Sequence, residues 1–272
     1  MTKIATILNA HGKTDLVLDT IDSIKLFAGD DVLVVVDGAH WEDWGQDVKI
    51  PAYKIKGFKH NYARAPYRNL TLGLNQASQL FEADWYAYCE YDVLFTSEYF
   101  KKALSRLPKD VWCVGNDHRV GNFKFPFLEK IIDSKLGDSH YLLGCCVFYK
   151  KEFLNKLREV DFFDRFLLYT NEFEKGFFPG YEEQNGYDFG EHLFPTLANH
   201  YGGKIAQLAN WHQIFEHWLG DFKHYPMRWK PELTWRENFA EASIMHPVKN
   251  NLELRWFHRT KRDRIKNGKL QS

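Results

Sequence analysis

The sequence predicts an α/β fold: a mainly parallel central sheet with helices on both faces. Three observations carry the prediction. Short apolar runs alternate with helix-period segments from Ile4 to Leu208, the pattern of strands joined by crossover helices. The run Val32–Val36 is apolar at every residue, which suits a parallel strand buried on both faces. Asp37, Asp92 and Asn116 fall at or near the carboxyl ends of such runs, where sheets of this kind bind ligands.

Ile4–Leu8 reads as a buried first strand, followed by the loop Asn9-Ala10-His11-Gly12. Asp15–Phe27 carries Leu16, Val17, Ile21, Ile24 and Phe27 at the spacing of a helix with one buried face. Val32–Val36 completes a βαβ unit, and Ala52–Ile55 adds a short strand. Arg68–Phe81 is a helix with Leu70, Leu74, Ala77 and Phe81 inward; Trp85–Phe95 is a strand that holds acids within an apolar run. Tyr99–Leu107 is helical and stops at Pro108, and Val111–Gly115 is a strand. Asn116–Asp138 has weak periodicity and reads as a loop or small helical excursion. Tyr141–Tyr149 is a strand and Lys150–Val160 a helix. Gly176–Gly190, rich in Gly and acids, reads as a surface loop. Glu191–Tyr201 is a helix with Pro195 placed in its first turn, and Lys204–Leu208 is the last core strand. No repeat or linker divides the chain, so residues 1–250 form one domain and residues 251–272 a basic C-terminal tail.

Composition narrows the function classes. The 36 acidic and 36 basic residues cancel, which removes the usual electrostatic case for nucleic-acid binding. Aromatic residues make up 17% of the chain, a composition compatible with stacking on sugars and bases and equally with an aromatic core. None of the four cysteines forms a CxxC pair, so a structural zinc site is not indicated. No apolar run is long enough to span a bilayer, and the first residues lack a signal-peptide pattern. A reducing, cytoplasmic setting is expected.

Ala83–Phe95 is the most informative segment. Residues two apart on a strand face the same way, so Glu90 and Asp92 point together. Two carboxylates on one face of a buried strand repel and lose solvation. A hard divalent cation such as Mg²⁺ or Mn²⁺ relieves that penalty and also binds phosphate oxygens. Arg68 is a further candidate for phosphate, which guanidinium matches by paired hydrogen bonds.

The apolar strand with acid-x-acid resembles the DxD motif of GT-A glycosyltransferases, with Glu90 in place of the first Asp. Ile7–Gly12, Val34–Gly38, Arg68–Leu74 and Tyr141–Phe148 resemble the family's other segments in the family's order. The resemblance implies a GT-A, Rossmann-like sheet and an inverting, nucleotide-sugar-dependent transferase. It implies that Asn9, His11, Asp37, Arg68, Glu90 and Tyr91 contact a nucleotide-sugar donor, with UDP as its nucleotide. It implies metal binding by Asp92, Glu90 and His246, with Lys249 on the diphosphate. In Tyr187–Phe194 it implies a general base, Glu191, or alternatively Asp188. The acceptor would be a hydroxyl of a glycan or a lipid-linked acceptor.

The tail from Arg255 to Lys269 mixes Trp256, Phe257 and Ile265 with Lys and Arg. It reads as a weak interfacial helix for anionic lipid at the inner membrane face, or as a solvated or disordered end. Two rival functions stand beside the transferase. A sugar-phosphate nucleotidyltransferase would want a richer Gly/Arg/Lys loop than Asn9–Lys13. A non-catalytic glycan-binding protein on the same fold would leave the clustered acids unexplained.

Overall fold

The computed structural model describes residues 2–42, 49–59, 65–171, 189–209, 228–229, 243–246, 248 and 252–270. The chain builds a seven-stranded sheet in the order β3-β2-β1-β4-β7-β6-β8. The strands are β1 (Ile4–Ala10), β2 (Val32–Val36), β3 (Tyr53–Lys56), β4 (Trp85–Glu90), β6 (Val111–Gly121), β7 (Ser139–Lys150) and β8 (Lys204–Ala209). Parallel pairing joins β3 to β2, β2 to β1, β1 to β4 and β6 to β8. Only β7 runs against its neighbours β4 and β6 in this sheet. The predicted α/β class and mainly parallel sheet are therefore present.

Both faces are covered, which explains why β1 and β2 are buried at every residue. Ala5, Ile7, Leu33 and Val35 face one side and pack with Leu70 and Leu74 of α2 (Ala65–Leu80), Phe153 of α5 (Lys151–Glu159), Phe166 of α6 (Phe162–Asn171) and Leu193 of α7 (Phe189–His200). Leu8, Val32, Val34 and Val36 face the other side and meet Val17, Ile21, Ile24 and Phe27 of α1 (Thr14–Phe27) and Phe100 of α3 (Tyr99–Ser105). Each buried Val, Leu, Ile or Phe among them contributes on the order of 1.5–3 kcal/mol.

Several elements differ from the sequence expectation. The strand expected over Trp85–Phe95 stops at Glu90; a turn carries Tyr91 and Asp92, and Leu94–Phe95 forms β5 in a second sheet. The Thr20 hydroxyl donates to the Tyr91 carbonyl at 2.6 Å, so α1 takes the oxygen that a continuing ladder would use. The second sheet has the order β5-β10-β9, with β9 at Arg228–Trp229 and β10 at Ile244–His246. Its strands are too short to leave a periodic signal. The region expected to be a loop or small helical excursion holds a short helix, α4 (Pro126–Ile132), and also the extension of β6 to Gly121, which was not expected. Helix α7 begins at Phe189, so Pro195 lies inside the helix rather than in its first turn. Helix α6 has no counterpart in the expected elements.

Residues 252–266, within the expected tail, form helix α8. It packs on α1 through buried arginines: Arg255 Nη1 lies 2.6 Å from Asp19 Oδ2, and Arg262 pairs with both Asp19 and Asp22. No helix among the described residues is long and apolar enough to cross a membrane.

Candidate metal and donor site

The chain runs from β1 to β2 and β3 on one side of the sheet, then crosses to β4 on the other. The carboxyl ends of β1 and β4 thus form a switch point, the usual ligand crevice of such sheets. Asn9 and Glu90 are register partners there, so the two side chains leave the sheet on one face. Asn9 is buried, and Glu90 is half-buried. Burial raises the Tyr88 phenol, two residues before Glu90, well above its ordinary pKa, and the Glu90 carboxylate adds to the rise.

Glu90, Asp92 and His246 each bring a ligand atom within 4.8 Å of the others. His246 Nε2 stands 3.2 Å from Glu90 Oε2 and 3.1 Å from Asp92 Oδ1. Neighbouring ligand atoms on an octahedral ion with bonds of about 2.1 Å lie about 3 Å apart, so the three residues fit one divalent cation. Two carboxylates with one imidazole also form a hard-to-borderline set that suits Mn²⁺ or Mg²⁺. Burial opposes protonation of His246, yet the adjacent Cys145 and the Asp92 and Glu90 carboxylates raise its pKa well above the usual value.

Asp92 reaches the cluster from a turn rather than from the strand. The residue pair found by strand periodicity is therefore adjacent for a different reason: Val93 N–H returns to the Glu90 carbonyl at 3.1 Å and folds the turn back. His246 arrives on β10, whose Met245 pairs with Leu94 of β5 just beyond that turn.

Of the other residues expected to contact a donor, Tyr91 lies in this turn and His11 packs on it. His11 and Tyr91 meet edge-to-face with ring centroids 4.5 Å apart. A Cβ on Gly12 would fall inside the Tyr91 ring, so only glycine lets the β1–α1 loop lie against the acid-x-acid turn. Asp37 is buried at the end of β2, and its Oδ1 accepts the Ala39 N–H at 2.7 Å. The Arg68 guanidinium sits over the Phe58 ring at 3.6 Å from its centroid, and Asn69 holds the Phe58 N–H at 2.7 Å. Asp188 and Lys249 lie outside the described residues.

Glu191 stands in the first turn of α7. Its Oε1 accepts the Gly144 N–H at 2.7 Å. Cys145, the next residue, interacts with His246. Consecutive residues of β7 therefore touch Glu191 and His246. The register of β7 against β6 shifts between Phe148 and Leu143, and such bulges commonly re-aim backbone next to active sites. Gly144 and Cys145 were not singled out by the sequence, because a bulge has no periodic signature. Thr20 and Ser23, which hold Tyr91 O and Phe95 N–H, had a signal: they are polar residues within the buried stripe of α1.

No family model matches the sequence, and no curated protein matches it. Solved structures do. A mannosyltransferase from Pyrobaculum calidifontis, in complex with GDP-Man and Mn²⁺, is 16% identical over 76% of this chain and 54% of its own, with a TM-score of 0.40. This chain thus spans about half the length of that protein. A cytidylyltransferase from Leptospira borgpetersenii is 10% identical over 76% of each chain, with a TM-score of 0.41. Glucosyl-3-phosphoglycerate synthase from Mycobacterium tuberculosis, in complex with Mn²⁺, UDP and glucosyl-3-phosphoglycerate, is 14% identical over 77% of this chain and 70% of its own, with a TM-score of 0.39.

Proposed function

We propose that this protein is a metal-dependent glycosyltransferase of the GT-A type, which moves a sugar from a nucleoside diphosphate sugar to an acceptor hydroxyl. The observation that carries the reading is the cluster of Glu90, Asp92 and His246 at the carboxyl ends of β1 and β4. A nucleotidyltransferase has a weaker basis here, since the β1–α1 loop holds Lys13 as its one cation.

Asp92, Glu90 and His246 would hold Mn²⁺ or Mg²⁺, and when bound the ion supplies Lewis-acid stabilisation of a leaving diphosphate. Asn9, His11, Tyr91 and Asp37 line the place of the nucleoside, for which uridine is the proposed base. Arg68 and Lys249 are the proposed cations for phosphate. Glu191 would take the proton of the acceptor hydroxyl as its oxygen bonds to the anomeric carbon and the carbon–diphosphate bond breaks. The Gly144 N–H orients its carboxylate for that task. Attack from the face opposite the leaving group inverts the anomeric centre. Asp188 is the alternative base.

The acceptor is proposed to be a glycan or a lipid-linked sugar, and the setting cytoplasmic, with peripheral contact at the inner membrane face. The support for membrane contact is local: Trp256 and Phe257 are exposed on α8 near Arg264, the pairing of aromatic and basic residues that favours anionic headgroups.

Calorimetry with UDP, with and without Mn²⁺, tests the donor site. Asp92→Ala should abolish metal-dependent binding, and wild-type binding by that variant would refute the reading. Glu191→Gln should keep donor binding and lower transfer by about 100-fold or more, the range for a lost general base. Transfer near the wild-type rate would assign the base elsewhere.

A further inference from the structure

Helix α8 does more than cover α1. Its Arg255 is 2% exposed and Asp19 of α1 is 5% exposed. Burying a charged pair this deeply costs several kcal/mol of desolvation per ion unless geometry and hydrogen bonds offset it, and a helix that only covers apolar surface does not need one. Arg255 uses two separate donors at once. Nη1 meets Asp19 Oδ2 at 2.6 Å, and Nε donates to the Val248 carbonyl at 2.6 Å. The N–H of the same residue, Val248, donates to the Asp92 carbonyl at 2.9 Å. Val248 lies two residues beyond His246, whose Nε2 is 3.1 Å from the Asp92 carboxylate. An unbroken series of contacts thus runs from α1 through Asp19, Arg255 and Val248 to the backbone of one metal-ligating residue, next to the strand that carries another.

We propose that Arg255 is a positioning residue for the metal site, resting on Asp19 and fixing the Val248 backbone through its carbonyl so that β10 presents His246 to Asp92 and Glu90. The inference rests on the assignment of those three residues as metal ligands. Arginine is required because its fork spans two acceptors in one plane, whereas a lysine ammonium acts as a point charge. Leu254 of α8 adds an apolar contact to the same place, packed with Leu94, Met245 and Val248. Arg262 supplies the internal comparison. It pairs with the same Asp19 and with Asp22 at 3.0 Å, and its hydrogen bonds go to these acids and not to the Val248 peptide.

The test is Mn²⁺ binding by the full chain without donor, read by calorimetry and by the spin-resonance signal of free Mn²⁺. Arg255→Lys should weaken Mn²⁺ binding by about 10-fold or more, as loss of a ligand's support does, while Arg262→Lys stays within about two-fold. Thermal unfolding of both variants checks that helix docking is weakened alike. Wild-type affinity in Arg255→Lys would overturn the proposal. Equal weakening in Arg262→Lys would overturn it too, since helix docking alone would then account for the effect. If Arg255→Lys does not fold, Asp19→Asn removes the anchor and leaves the bond to Val248; it should weaken Mn²⁺ several-fold, and wild-type affinity again overturns the proposal. Asp92→Ala in the same series separates the two levels. Unchanged binding there refutes the ligand assignment itself, and the proposal with it.

Discussion

Acid should loosen the helix that supports the site, and His258 sets the range. Its side chain lies 1% exposed in α8. Burial, reinforced by Lys261 and Arg262 and opposed by Asp19, pulls its pKa from 6.5 to about 3. The folded protein therefore holds His258 neutral, while the unfolded chain binds a proton below pH 6.5. Stability from this residue is fully present above pH 6.5 and is lost as pH falls from there toward about 3, at up to about 1.4 kcal/mol per pH unit. Integrating the two titrations between about pH 7.5 and about pH 5 gives a loss of about 2 kcal/mol. His258→Gln cannot titrate, so its stability should fall by about 2 kcal/mol less over the same interval. Urea unfolding followed by tryptophan fluorescence at the two pH values measures the difference. Parallel profiles for wild type and His258→Gln would refute the argument, because they would mean that the imidazole is charged or solvated in the folded state.

Two further substitutions probe the elements around the site. A Cβ on Gly190 would fall inside the Tyr67 ring, so Gly190→Ala should cost about 1–3 kcal/mol through forced displacement and should lower transfer by shifting Glu191; denaturant midpoints and rates at saturating donor test both. Thr20→Val removes the hydroxyl that donates to Tyr91 O at 2.6 Å and leaves that carbonyl short of a partner, for a loss of about 1–3 kcal/mol with weaker Mn²⁺ binding, both readable by unfolding and calorimetry.

The legible parts of this sequence were those governed by simple periods. Five consecutive apolar residues mark β2, and the stripe Leu16, Val17, Ile21, Ile24 and Phe27 marks α1. The acid-x-acid pair was legible as a candidate metal site, although strand periodicity did not account for its geometry: Asp92 sits on a turn folded by the Val93 N–H bond to Glu90, held by the hydroxyl of Thr20 and followed by the pairing of β5. His246 was reached through resemblance alone, because β10 spans three residues and its contacts are remote in sequence. The only signal for Asp19, Thr20 and Ser23 was their polarity within the buried face of α1. A helical pattern records which side of a helix is inward and which inward residues are polar; it does not record the distant backbone or charge that occupies them.

The bond from Asp19 to Arg255 joins positions 236 residues apart, and this distance sets an order of events during synthesis. At ribosomal rates of roughly 5–20 residues per second, the first helix emerges on the order of 10–50 s before the arginine that it will grip. Within that interval, from the synthesis of Asp92 to that of His246, the nascent chain carries two of the three proposed ligands and lacks the third. Capture of a cation by the proposed cluster would therefore wait for residue 246, however well the amino-terminal strands had assembled.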